Sequence, residues 1–187
     1  FISFTLASGT ASNYAFSSTG YNATTNAATI TPKALTVSGT KTYDGTAAFT
    51  TANLSAGGAA SGETITITSG SGTTSSPNVG TYAGSALSGL TISVAGGQAL
   101  ASNYALPSTG TLTINPAGVT LIALTGTKTY DGTAVFAANQ LAVTGLVGTD
   151  AIANATANSA NVSANGNNYF ISFTLASGTA SNYAFSS

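Results

Sequence analysis

Lys41-Thr-Tyr-Asp-Gly-Thr-Ala47 and Lys128-Thr-Tyr-Asp-Gly-Thr-Ala134 are one heptapeptide written twice, 87 residues apart. Asp-Gly is turn chemistry: the Asp side chain caps nearby backbone amides, and Gly takes the positive φ that a tight turn asks for. Gly45 and Gly132 are the residues assigned that role, and Asp44 and Asp131 the caps. Upstream of each copy lies a strand-like run, Ala34-Leu35-Thr36-Val37 and Val119-Thr120-Leu121-Ile122-Ala123-Leu124. The unit is therefore a β-strand, a charged turn containing a tyrosine (Tyr43, Tyr130), and a return.

The heptapeptide also gathers charge. The chain has three basic and four acidic residues in 187, and the two copies hold Lys41, Lys128, Asp44 and Asp131. Charged residues make up 4% of the chain, against about a quarter in ordinary globular domains, while the hydrophobic fraction is an ordinary 43%. Disordered chains pair low hydrophobicity with high net charge; here the net charge is −1. That balance offers no electrostatic footprint for nucleic acid or an anionic membrane. No apolar run approaches the eighteen residues of a membrane-crossing helix.

Chemistry is scarce. There is no Cys and no His, so thiolate metal sites, disulfides and a hydrolase triad with a histidine base are excluded. Acid–base work would have to come from Asp44, Glu63, Asp131 and Asp150, of which the first and third are repeat equivalents. No phosphate-binding loop occurs, and no enzymatic activity, catalytic residue or cofactor is expected. Calcium wants six to eight oxygens, several of them carboxylate, so one Asp per unit makes at most a weak site. A Lys–Asn isopeptide crosslink needs a buried Lys, Asn and acid together; a Lys beside its Asp in a turn favours an ion pair instead. The Asn-x-Ser/Thr matches at Asn22, Asn53, Asn154 and Asn161 are expected by chance in so Asn- and Thr-rich a chain.

Repetition organises the rest. Residues 1–18, FISFTLASGTASNYAFSS, recur letter for letter as residues 170–187. The expected parent is a tandem array with a period of 169 residues, of which this chain is a slice. Within the period, Pro32 in Ile-Thr-Pro matches Pro116 in Ile-Asn-Pro. The chain thus divides into 1–30, the C-terminal part of a preceding repeat; 31–115, a complete β repeat domain; and 116–187, a second domain lacking its last strand, which would correspond to Thr19–Ile30.

Glu63-Thr-Ile-Thr-Ile-Thr68 alternates with period two, which puts Ile65 and Ile67 on one face of a strand. Leu90–Val94, Thr111–Ile114 and Ile171–Leu175 repeat the pattern. Gly, Asn and Ser clusters separate these runs at the spacing of an all-β sandwich. Asp150–Ala160 is the best helical rival, but Asn interrupts it. The fold class is all-β: tandem small β-sandwich domains, immunoglobulin-like, with a β-grasp-like unit as the alternative. Tyr14, Tyr104 and Tyr183 share one repeat position, Tyr43 and Tyr130 another, Phe49 and Phe136 a third. Recurring aromatics of this kind read as core plugs whose hydroxyls find an acceptor; a glycan-binding stripe of exposed Tyr and Asn is the competing reading.

Lys-x-Tyr-Asp-Gly-Thr, then Asn78-Val-Gly-Thr81, Leu87-Ser-Gly89, Ser102-Asn-Tyr-Ala105 and a closing Thr-Leu-Thr-Ile-Asn-Pro stand in an order that resembles the YDG and MBG repeat domains of large bacterial secreted adhesins, including filamentous-haemagglutinin-like proteins. The second unit departs from it, with Asn161-Val-Ser-Ala in place of Asn-Val-Gly-Thr. The resemblance implies an extracellular, cell-surface, β-rich spacer or adhesive repeat without catalytic activity. Its expected partners are neighbouring copies of the same repeat, covalently continuous or joined by strand donation, with host or matrix glycans as the alternative.

Overall fold

Runs that alternate Thr with Ile, Leu or Val give a strand one apolar and one polar face, whereas on a helix the same residues would scatter around the axis. The computed structural model describes residues 8–9, 28–98, 100–120, 124–162 and 168–186. The chain divides into two units, Phe1–Pro32 and Lys33–Ser187. In the first, the described residues form no strand or helix; Tyr14 and Asn22 lie outside the described residues.

The second unit carries the strands. The first repeat supplies β1 (Lys33–Ala34), β2 (Thr36–Thr42), β3 (Ala48–Thr50), β4 (Leu54–Gly57), β5 (Glu63–Thr73), β6 (Gly80–Gly96), β7 (Tyr104–Ala105) and β8 (Thr109–Asn115). The second supplies β9 (Ala117–Thr120), β10 (Thr125–Gly126), β11 (Val135–Ala137), β12 (Leu141–Ala142), β13 (Ala151–Ala157), β14 (Phe170–Ser177) and β15 (Tyr183–Ser186). Only short 3-10 turns interrupt them, and the described residues contain no α-helix: the protein is all-β. The helical rival after Asp150 is strand β13, which buries Ile152, Ala155 and Ala157.

In the first repeat six strands form one sheet in the order β3-β5-β6-β8-β2-β4. One pair in it is parallel: β2 and β8, the first and last long strands, run in register from Ser38↔Thr111 to Thr42↔Asn115. Parallel neighbours cannot be joined by a hairpin and need a long crossover; here β3 to β7 are that crossover. Strand β2 alternates strictly, burying Val37, Gly39 and Lys41. Gly39 is small for a reason: a Cβ there would lie 2.8 Å from Leu112 Cδ2 and 2.9 Å from Leu54 Cδ2. Leu112 (0% exposed) and Ile114 (1%) make β8 the spine of a core with Val37, Phe49, Leu54 and Ile67.

The second repeat reproduces the flanks of this sheet. Strands β11-β13-β14 match β3-β5-β6, and β10-β12 match β2-β4 down to the register, Gly126↔Leu141 standing for Gly39↔Leu54. The parallel pair β9 and β15 matches β1 and β7. Among the described residues nothing stands between β14 and β10, the place β8 takes in the first repeat.

Candidate functional site: the junction between the repeats

The heptapeptide folds as a cage around its lysine. Lys41 Nζ donates to Asp44 Oδ1 (2.7 Å), the Thr46 carbonyl (2.8 Å), Thr46 Oγ1 (2.9 Å) and the Ala48 carbonyl (2.9 Å), and sits 5.1 Å from the centre of the Phe49 ring. Asp44 Oδ1 also accepts the Thr46 amide at 2.9 Å, the turn capping that Asp-Gly calls for, with Gly45 at φ +80°. The second copy is a replica: Lys128 reaches Asp131, Thr133 and Val135 at 2.8–2.9 Å and lies over Phe136, with Gly132 also at +80°. Burial works against the Asp44 carboxylate, but the Lys41 ammonium and the Thr46 donors hold its pKa below the ordinary value. Lys128, with Thr133, lowers that of Asp131 to about 2. Each lysine is thus a hub tying turn to strand.

A second motif closes each repeat at its other end. The 3-10 turns Ala101–Asn103 and Ala180–Asn182 lead into Tyr104 and Tyr183. The Ala60 amide donates to Tyr104 Oη (2.8 Å), and Tyr104 in turn donates to Glu63 Oε2 (2.5 Å). In the second repeat the Val147 amide donates to Tyr183 Oη (3.0 Å), and Tyr183 donates to Asp150 Oδ2 (2.5 Å). Both tyrosines are buried. The hydrogen bond to Glu63 raises the Tyr104 pKa, while burial first and Asp150 second push Tyr183 up to about 12.

The two motifs meet. Tyr43 of the first heptapeptide packs edge-on against Tyr183, ring centres 5.6 Å apart, and donates to the same Asp150 Oδ2 at 3.2 Å. Burial and that carboxylate raise the Tyr43 pKa. Beside them Asn182, 0% exposed, accepts the Val79 amide on Oδ1 (2.8 Å) and donates through Nδ2 to Asn78 Oδ1 (3.0 Å). A buried amide with both ends engaged fixes one relative placement, because any other leaves polar atoms desolvated without partners. The Asn-Val of one repeat is thus read by the Asn-Tyr of the next.

Lys41, Tyr43, Asp44, Gly45 and Tyr183 gather at or beside this junction; Tyr104 occupies the corresponding place at the start of the first repeat. Lys128, Asp131 and Gly132 form the second cage. Tyr130 differs from its partner: Tyr43 is buried by the following repeat, whereas Tyr130 is 62% exposed, with no such ring against it among the described residues. Sequence reasoning missed Glu63 and Asp150 as tyrosine acceptors, although they too stand 87 residues apart, so the four acidic residues are two repeat pairs. Among the described residues no cluster of three potential metal ligands occurs, and no helix is long and apolar enough to cross a membrane.

These features define a tandem all-β repeat whose units are joined by a specific, buried junction. The YDG domain model matches residues 25–112 and again 115–187, and the chain belongs to the YDG domain family. No curated protein and no solved structure matches the chain.

Proposed function

We propose that the chain is a structural repeat segment of a long extracellular bacterial surface filament, stalk or adhesin, working as a mechanical spacer. The observation that carries this reading is the junction. Asn182 is fully buried and doubly engaged, and Tyr43 and Tyr183 share one carboxylate, so consecutive repeats are held at one angle instead of swinging on a linker. A spacer needs that stiffness, since a flexible chain of the same length reaches far less than its contour. For each bead, the parallel first-and-last pair β2 and β8 supports the β-grasp-like topology over the immunoglobulin-like sandwich. A glycan-binding role loses its main residues, because Tyr104 and Tyr183 point their hydroxyls at Glu63 and Asp150 from buried positions.

Labelling of source cells with antibodies against Lys33–Ser187 tests the location. Signal on intact cells is expected; signal confined to permeabilised cells overturns the reading.

A further inference from the structure

In the first repeat the chain's way in and its way out lie side by side and point the same way. Strand β2 pairs with β8 over five register positions, Ser38↔Thr111 to Thr42↔Asn115. The parallel contact starts earlier, with Lys33↔Tyr104 and Ala34↔Ala105 between β1 and β7, and the Leu35 amide donates to the Ala105 carbonyl at 3.0 Å. It ends where the Tyr43 amide donates to the Asn115 carbonyl at 2.8 Å. The repeat-equivalent prolines Pro32 and Pro116 stand just outside its two ends.

That arrangement decides what tension does. A pull along the chain enters at the start of β1 and β2 and leaves at the end of β8. Because the strands are parallel, the two pulls oppose each other along the strand axis. The ladder is therefore loaded in shear, its hydrogen bonds share the force, and β3 to β6 lie outside the direct path. Slippage gives no easy escape. A one-residue shift turns every side chain to the wrong face, so the strands must move two residues, about 7 Å, before they pair again. Such a shift would drag Lys41 from its buried place opposite Ile114. Two contacts hold β2 at the end away from the pull. The Lys41 ammonium is tied to Asp44, Thr46 and Ala48 at 2.7–2.9 Å, which anchors the strand to its turn and to β3. Tyr43 is held from the following repeat by Tyr183 and Asp150.

We propose that the β2–β8 pair is a mechanical clamp: the first repeat bears tension by loading this parallel pair in shear, with the Lys41 cage as the anchor of β2. The inference goes beyond a fixed angle between repeats to resistance against unfolding under load. It rests on the spacer reading only for the origin of that load.

The test pulls the 187-residue chain in optical tweezers along two directions at one loading rate. The chain has no Cys, so paired substitutions at exposed positions give unique handles. Thr31→Cys with Asn115→Cys loads the pair in shear. Thr36→Cys with Thr109→Cys, at the starts of β2 and β8, opens it as a zipper. The shear variant should yield at a force at least about twofold higher, since its five register pairs are loaded together and those of the zipper fail in turn. Forced unfolding reads the barrier, not the equilibrium stability, so one fold is compared along two pulls. Equal force, or greater force in the zipper direction, overturns the clamp. Adding Lys41→Met to both variants should lower the shear force and leave the zipper force unchanged, because the zipper opens at the end far from the cage. Equal loss in both directions, or none in either, overturns the lysine's role as anchor. No outcome here touches the spacer reading, which stands or falls on surface labelling.

Discussion

Lys41 shows how a residue type that is normally solvated becomes structural. Its ammonium has a carboxylate, a hydroxyl and two carbonyls within 2.9 Å, and lies over the Phe49 ring. Lys41→Met keeps the apolar stem and removes the donors, stranding the Thr46 and Ala48 carbonyls. The expected loss is about 1–3 kcal/mol, toward the low end because Asp44 is half exposed and water screens the pair; urea unfolding measures it. The carboxylates add a pH dependence. Asp44 and Asp131 are held below the unfolded-state value, Asp131 at about 2, so they bind protons less readily folded than unfolded. Their contribution is complete above the unfolded-state value of about 4 and disappears as pH falls from there toward about 2. Chemical unfolding at stepped acid pH should show that decline. Tyr183 acts in the opposite direction. Its raised pKa, about 12, means the folded state holds the phenolic proton more tightly than the unfolded chain. That stabilisation is whole below the unfolded-state value of about 10 and is lost as pH rises from about 10 to about 12. Tyrosinate absorbance followed together with circular dichroism should show Tyr183 ionising only as the junction opens.

Among the elements, β8 decides the sheet. It lies between β6 and β2, so losing its side chains unties β3-β5-β6 from β2-β4. Leu112→Ala should cost about 2–5 kcal/mol, the range for emptying a fully packed leucine site, with the denaturant midpoint falling accordingly. Much of this element scale was legible in the sequence. The period-two runs at Glu63, Leu90, Thr111 and Ile171 all fall in strands, and Asp-Gly marks the turns. Which strands become neighbours was not legible: β2 pairs with β8 across more than seventy residues, and local alternation carries no label for such a partner. The strand after Asp150 was ambiguous for a related reason. Ala suits either structure, and only pairing with β11 and β14 made it β.

For the whole molecule, the junction sets the behaviour. Asn182→Ala takes the acceptor from the half-buried Val79 amide and frees the exposed Asn78 side chain to water, with an expected cost of about 1–3 kcal/mol, toward the low end. The loss should appear as greater interrepeat freedom in small-angle scattering while each repeat keeps its circular dichroism. An unchanged scattering profile would show that the tyrosine contacts hold the angle without the asparagine. The recurrence of Ser-Asn-Tyr-Ala was plain in the sequence, and its tyrosines were read as buried plugs with hydroxyl acceptors, as Tyr104 and Tyr183 are. That its asparagine reads the preceding repeat was not visible, because Asn182 and Asn78 are over a hundred residues apart and become partners only once both repeats have folded.

The sequence by itself determined the repeats, the strands and the charged turns, since these follow from side-chain periodicity and from short-range chemistry within seven or eight residues. Only the tertiary structure decided how the two heptapeptides differ. Their lysine cages are replicas, because each cage is built from its own residues. Their tyrosines part company, because Tyr43 has Tyr183 and Asp150 packed against it and Tyr130 stands exposed. Burial belongs to the neighbour, not to the motif, and identical residues took different roles where long-range packing supplied different surroundings.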